Sequence, residues 1–125
     1  MFVAREILPA IVLLEFSGGM SVADEAAYLD SLDRLSMREA PFVVVALMDG
    51  RTPLSPDGRR QQALWFKRSR EHLRAWCRGL VRVPRGDARS DFGDEALARA
   101  LPFPFVHAAD QAEAVAIAER LLASR

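Results

Sequence analysis

At 125 residues, half of them apolar and 27% charged, the chain has the size and composition of one globular domain rather than of a disordered segment. Its 17 basic and 17 acidic side chains cancel, which excludes a global field drawing it to nucleic acid or to an anionic membrane. One cysteine, Cys77, excludes an internal disulfide and a cysteine-rich metal site, and the longest apolar runs, Ala10 to Leu14 and Phe42 to Met48, are far too short to insert across a bilayer.

Residues 1–16 carry neither a basic leader region nor a small-residue cleavage site, and Glu6 and Glu15 interrupt them. They are expected to be mature structure in a reduced cytoplasm. Phe2 to Ile7 reads as a strand, Leu8-Pro9 breaks it, and Ala10 to Phe16 follows as a second strand. A link this short predicts an antiparallel hairpin. Ser17-Gly18-Gly19 is a turn, and Ser21 then caps a helix with Asp24 in its first turn. Tyr28, Leu29, Leu32 and Leu35 recur at helical spacing through about Arg38.

Pro41 ends that helix and opens a third strand, Phe42 to Met48, whose lack of alternation predicts burial on both faces. Ser55-Pro56 is a strong helix start, and the spacing predicts a helix to about Arg78. Trp65, Phe66, Ser69, Leu73, Trp76 and Leu80 fall on one face of it, and Arg60, Lys67, Glu71, Arg74 and Arg78 on the other. Gly79 is read as the helix terminator, Leu80 to Val83 as a fourth strand ended by Pro84, and Asp94 to Leu101 as a short helix. Phe103 to His107 is a fifth strand whose proline predicts a sheet edge. Asp110 and Glu113 have capping-box spacing before a last helix with Ala114, Ile117, Ala118 and Leu121 as its apolar stripe.

The predicted order is ββαβαβαβα: an α/β fold with a small mixed sheet of about five strands, an N-terminal antiparallel hairpin, and helices packed on it. With no repeat, linker or low-complexity stretch, residues 1–125 form a single expected domain.

This arrangement resembles the STAS-like superfamily, and within it the SpoIIAA-like proteins, relatives of anti-sigma-factor antagonists. The resemblance rests on Val12 to Gly18 with Ser21-Val22-Ala23-Asp24, on Phe42 to Gly50, on Trp65 through Val83, and on Phe103 to Ala118. It implies helices on one side of a small mixed sheet, frequent pairing as homodimers, and a non-enzymatic regulatory role through a protein partner. It also implies a switch by phosphorylation at the helix after the third strand, where Ser55 stands. The family's motif has aspartate before that serine and glycine after it; here Leu54 and Pro56 flank Ser55, with Asp57-Gly58 following.

The residues themselves leave several readings open. Ser55 is a structural N-cap or a phospho-acceptor, since a phosphate at a helix start meets free amides and the helix dipole. Asp49, Arg51, Asp57 and Arg60 would form the partner surface around it. The basic stripe of Arg60, Lys67, Arg74 and Arg78 is a solvated face or a dock for acidic groups; no aromatics interleave it, which argues against nucleic acid. Trp65 and Trp76 fill the core, or Trp65 with Tyr28 lines a cleft for a small apolar ligand.

Asp49 reads as a turn former with Gly50. A receiver-type phospho-acceptor would need an acidic pair where Ser17-Gly18-Gly19 stands and a lysine where His107-Ala108-Ala109 stands. His72, His107 and Cys77 are too few and too badly spaced for a metal. A Cys77–His107 nucleophile pair would have to form across the fold with no supporting motif. Ser17-Gly18-Gly19 lacks the lysine or third glycine of a phosphate loop. No catalytic residue, cofactor or metal is expected.

Overall fold

β-branched and leucine-rich runs punctuated by Pro and Gly form the strands that their composition demands. The computed structural model describes residues 1–49, 54–85 and 99–123. In chain order the elements are β1 (Phe2–Leu8), β2 (Ile11–Phe16), α1 (Val22–Leu35), β3 (Phe42–Asp49), α2 (Pro56–Trp76), β4 (Cys77–Arg85), β5 (Phe105–His107) and α3 (Gln111–Ala123). The strands make one five-stranded sheet in the order β1-β2-β3-β4-β5, with β1 antiparallel to β2 and every other pair parallel. The predicted hairpin and mixed sheet are both present. Of the helix expected from Asp94 to Leu101, only residues 99–101 lie within the described set.

The hairpin turns through Pro9 and Ala10, and Ala10 adopts φ 70°, a left-handed conformation usually left to glycine. Its carbonyl accepts a bond from Val43 N–H at 2.9 Å, which ties the turn to the start of β3.

β2 and β3 are apolar at almost every position because both of their faces are covered. Val12, Leu14 and Phe16 with Val44 and Ala46 face the core under α1 and α2, which adds Leu32, Leu35, Trp65 and Leu73. Ile11, Leu13, Val43, Val45 and Leu47 face a second core under α3, which adds Ala114 and Ala118. Helices therefore lie on both sides of the sheet, not on one side as the family resemblance implied. The continuous apolar run of Phe42 to Met48 requires this, since a bare face would leave Val43, Val45 and Leu47 on one side, or Phe42, Val44 and Met48 on the other, in water.

α1 starts with a reciprocal capping box. Ser21 Oγ accepts from Asp24 N–H, and Asp24 Oδ2 accepts from Ser21 N–H, both at 3.0 Å. It ends at Leu35, three residues short of the expected Arg38, whose guanidinium instead bonds Glu6 on β1 at 2.9 Å and lies over the Phe42 ring.

α2 is a single rod that ends at Trp76, and Cys77 already belongs to β4. Gly79 is thus a strand residue rather than a helix terminator, and β4 runs through Pro84 to Arg85. The β3–β4 register steps from Phe42↔Cys77 to Val43↔Gly79, so Arg78 is the extra residue of a bulge. Glycine is favoured there by its φ of +159° and by crowding: a Cβ on Gly79 would come within 2.7 Å of Leu121 Cδ1 and 3.3 Å of the Pro104 carbonyl. β5 is shorter than expected, starting at Phe105, and it is an edge strand, as Pro104 indicated.

Candidate functional site

Two features meet along the seam between α1 and α2: a polar clamp at the start of α2 and an apolar cavity beneath both helices.

The clamp is built around Ser55. Its Oγ accepts from Gly58 N–H at 3.0 Å, the expected N-cap bond. The same hydroxyl donates to Glu25 Oε2 at 2.8 Å, and Ser55 N–H donates to Glu25 Oε1 at 2.7 Å. A carboxylate from α1 therefore sits on the positive end of α2, where exposed amides and the helix dipole favour it. Gly58 makes room for it: a Cβ there would lie 2.5 Å from Glu25 Oε1. Further along the seam, Tyr28 O–H donates to Gln62 Oε1, and Arg68 donates to Asp33 Oδ1 at 2.9 Å.

Sequence reading identifies Ser55 as a cap but does not single out Glu25, a first-turn residue of α1, as its partner. The available signal was Gly58, a poor helix former placed in a first turn for no local reason.

The remaining residues expected at the partner surface are only partly described. Asp49 closes β3 in register with Arg85; its side chain, the turn expected of it with Gly50, and Arg51 lie outside the described residues. Asp57 and Arg60 are exposed and bind each other at 2.8 Å, while Gln61 donates to the second Asp57 oxygen at 2.8 Å. The bonds from Arg60 and then Gln61 hold the Asp57 carboxyl below the usual carboxylate range. The basic stripe is likewise offset by its own neighbours: Arg74 pairs with Glu71 at 3.3 Å. Arg78 does not belong to the stripe, because it sits on the bulge of β4 and donates to the Ala75 carbonyl.

Beneath the seam lies a cavity of about 260 Å³. The sheet supplies Leu14, Phe16, Val44 and Ala46 to its wall, and Tyr28 and Trp65 line it from the helices. The structure thus brings together the two residues that the sequence suggested for an apolar cleft. Tyr28 packs edge-on against Phe2 and Phe16, with ring centroids 5.5 and 5.4 Å away, and burial pushes its phenol well above the ordinary value. Trp65 is only 4% exposed and stands edge-to-face with Phe66. Its indole N–H is buried with no hydrogen-bond acceptor among the described residues. Trp76 does not line the cavity; it packs at the rim of the same core.

Cys77 forms part of the wall, its thiol donates to the Gly79 carbonyl, and desolvation pushes that thiol up to about 12. His107 stands exposed on β5, stacked on Phe105 at 5.1 Å, so it does not form a pair with the buried Cys77. No group of three or more His, Cys, Asp or Glu side chains among the described residues could hold a metal.

No protein-family model and no curated protein matches this chain. Solved structures do match. An uncharacterised DUF3478-family protein with a SpoIIAA-like fold from Shewanella loihica superposes with a TM-score of 0.66 at 11% identity, over 94% of this chain and 92% of its own. An anti-sigma factor antagonist from Mycobacterium paratuberculosis superposes with a TM-score of 0.55 at 14% identity, over 95% of this chain and 93% of its own. The fold is STAS-like, of the SpoIIAA type. Among the described residues no helix is long and apolar enough to cross a membrane.

Proposed function

We propose, from a SpoIIAA-like fold and the geometry at the start of α2, that this chain is a non-enzymatic regulatory module that contacts a protein partner in the cytoplasm and is switched at Ser55. The observation that carries this reading is the exposed Glu25–Ser55 clamp. A phosphoryl group on Ser55 Oγ removes the O–H that Glu25 accepts and puts nearly two negative charges where a carboxylate sits at 2.8 Å. The two anions repel each other, Glu25 leaves, and the amides of the α2 start turn to the phosphate. One modification thereby changes the charge of the α2 start and loosens its attachment to α1. An anti-sigma factor antagonist among the structural neighbours supports a protein as the partner.

The test is quantitative capture of the native partner by tagged wild type, Ser55→Ala and Ser55→Asp. Wild type and Ser55→Ala are expected to retain it, and Ser55→Asp to lose it at least tenfold. Equal capture by all three defeats the switch.

The cavity favours a second reading, a carrier or sensor of a small apolar molecule. A largely apolar concave site lined by aromatic residues is the usual form of such a site. Native mass spectrometry of gently purified protein should then show an added small-molecule mass. A bare chain, even after incubation with apolar probes, removes this reading.

A further inference from the structure

We infer that the outward face of α2, a row formed by Arg59, Lys67, Arg70 and Arg74, is the dock for a protein partner that offers an acidic segment. The inference rests on the reading of this chain as a partner-binding module switched at Ser55, and adds to it the partner's chemistry and the surface that meets it.

Charge on this chain is balanced overall, 17 basic against 17 acidic side chains, yet it is not evenly spread. α2 carries six cations, Arg59, Arg60, Lys67, Arg68, Arg70 and Arg74, and only two carboxylates, Asp57 and Glu71. Three of the cations are answered by carboxylates: Arg60 by Asp57, Arg74 by Glu71, and Arg68 by Asp33 across the seam. Among the described residues, the side chains of Arg59 and Lys67 form no ion pair or hydrogen bond. Arg70 donates to the Ala100 carbonyl, a neutral acceptor that leaves its charge in place.

These charges are aligned. At about 100° per residue, Arg59, Ala63, Lys67, Arg70 and Arg74 fall within an arc of about 80°, on the side of the helix turned away from the buried Trp65, Ser69 and Leu73. All five are exposed. They make a strip about 22 Å long, left open between Arg59 and Lys67 by the small side chain of Ala63. Lys67 with Arg70, and Arg70 with Arg74, are like charges at i,i+3 and i,i+4 spacing, which repel along a helix. Carboxylates spaced along one partner segment relieve that repulsion at each step. No aromatic side chain interleaves the row, so it offers no stacking platform for a nucleic acid.

The row begins one turn beyond Ser55, at the end of α2 that the switch would modify. A phosphate there adds nearly two negative charges beside Arg59, engages the cation nearest to it, and repels incoming carboxylates within the roughly 8 Å that physiological salt leaves unscreened. An acidic partner thereby gives the switch its direction, modification releasing the partner.

The experiment uses the full chain and a blocked helical peptide of about sixteen residues, long enough to span the row, with glutamates along one face, and its Gln-for-Glu counterpart. Binding is followed by NMR titration at low salt for wild type, for Arg59→Glu/Lys67→Glu, and for Arg5→Glu/Arg120→Glu, a control that changes net charge equally at exposed sites on β1 and α3. The acidic peptide should shift the amides of the α2 row, and its affinity should fall about tenfold in the α2 variant and stay within about twofold in the control. The glutamine peptide should not bind, and raising salt from roughly 50 to 300 mM should weaken the acidic one. The native partner should likewise be lost by the α2 variant in the capture assay.

No binding of the acidic peptide to wild type, or equal loss in the α2 variant and the control, overturns the inference. If the α2 variant keeps the native partner while Ser55→Asp loses it, the inference fails and the switch reading stands. If the α2 variant loses the partner while Ser55→Asp keeps it, the dock stands and the switch reading fails. Vesicles of phosphatidylcholine with phosphatidylglycerol, or a duplex DNA, binding the row more tightly than the peptide would overturn the assignment to a protein. Should the α2 variant not fold, Arg59→Gln/Lys67→Gln reads the same difference, with a loss of about threefold expected and none overturning the inference.

Discussion

An alanine at position 58 sets two effects of similar size against each other. In a helix, alanine is favoured over glycine by about 1 kcal/mol. At this site, however, the new Cβ would stand 2.5 Å from Glu25 Oε1 and 2.6 Å from its Cδ, which forces the carboxylate away from Ser55. Glu25 then loses the two bonds it accepts from Ser55, at 2.7 and 2.8 Å. A hydrogen bond to a charged group contributes about 1.5–3 kcal/mol when well shielded. These bonds are solvent-exposed, so about 1 kcal/mol each is the better figure.

Gly58→Ala should therefore destabilise the wild-type protein by about 1 kcal/mol, the loss of about 2 outweighing the gain of about 1. In a Glu25→Ala background the clash is gone, and the same substitution should stabilise by about 1 kcal/mol. The coupling of about 2 kcal/mol is read from urea unfolding of the four proteins in the cycle. An effect of the same sign and size in both backgrounds would refute the clamp as the organiser of the α2 start.

Three further outcomes follow from other parts of the fold. Ala10→Gly should raise stability by about 0.5–1 kcal/mol, because a left-handed alanine costs about 1–2 kcal/mol and the added freedom of the unfolded chain returns only part of that; a lower thermal midpoint would contradict the turn geometry. Cys77 should be alkylated by iodoacetamide at neutral pH on the order of a thousandfold more slowly than a free cysteine, since a thiol pushed up to about 12 holds very little thiolate; mass spectrometry showing labelling within tenfold of the free rate would contradict its burial. Asp24 is held below the usual carboxylate range, chiefly by the bond from Ser21 N–H. Its contribution is therefore complete above about pH 4, the unfolded value, and lost as pH falls through the lower folded value, so the acid loss of stability should be shallower in Asp24→Asn; identical urea midpoints from pH 6 to 3 would rule that out.

Much of this architecture is legible in the chain because local patterns carry it. Pro41 before Phe42, Ser55-Pro56, and the spacing of Trp65, Ser69 and Leu73 mark element starts and faces without reference to any distant residue. Ser21 with Asp24 marks a cap in the same way, and the structure forms that box. The five-stranded mixed sheet and the burial of β3 on both faces follow from these patterns.

Contacts between segments distant in sequence were another matter. Gly79 resembles a helix terminator on local grounds, but it is fixed by Leu121 and the Pro104 carbonyl approaching from elsewhere in the chain. The seating of Glu25 on Ser55 joins residues 30 apart, and neither residue type announces the other. Which face α3 covers was equally hidden, because Ala114 and Ala118 would suit either side of a sheet with two apolar faces. Periodicity encodes which side of a helix or strand is apolar; only the assembled sheet decides what each side meets, and that meeting creates both the clamp and the cavity.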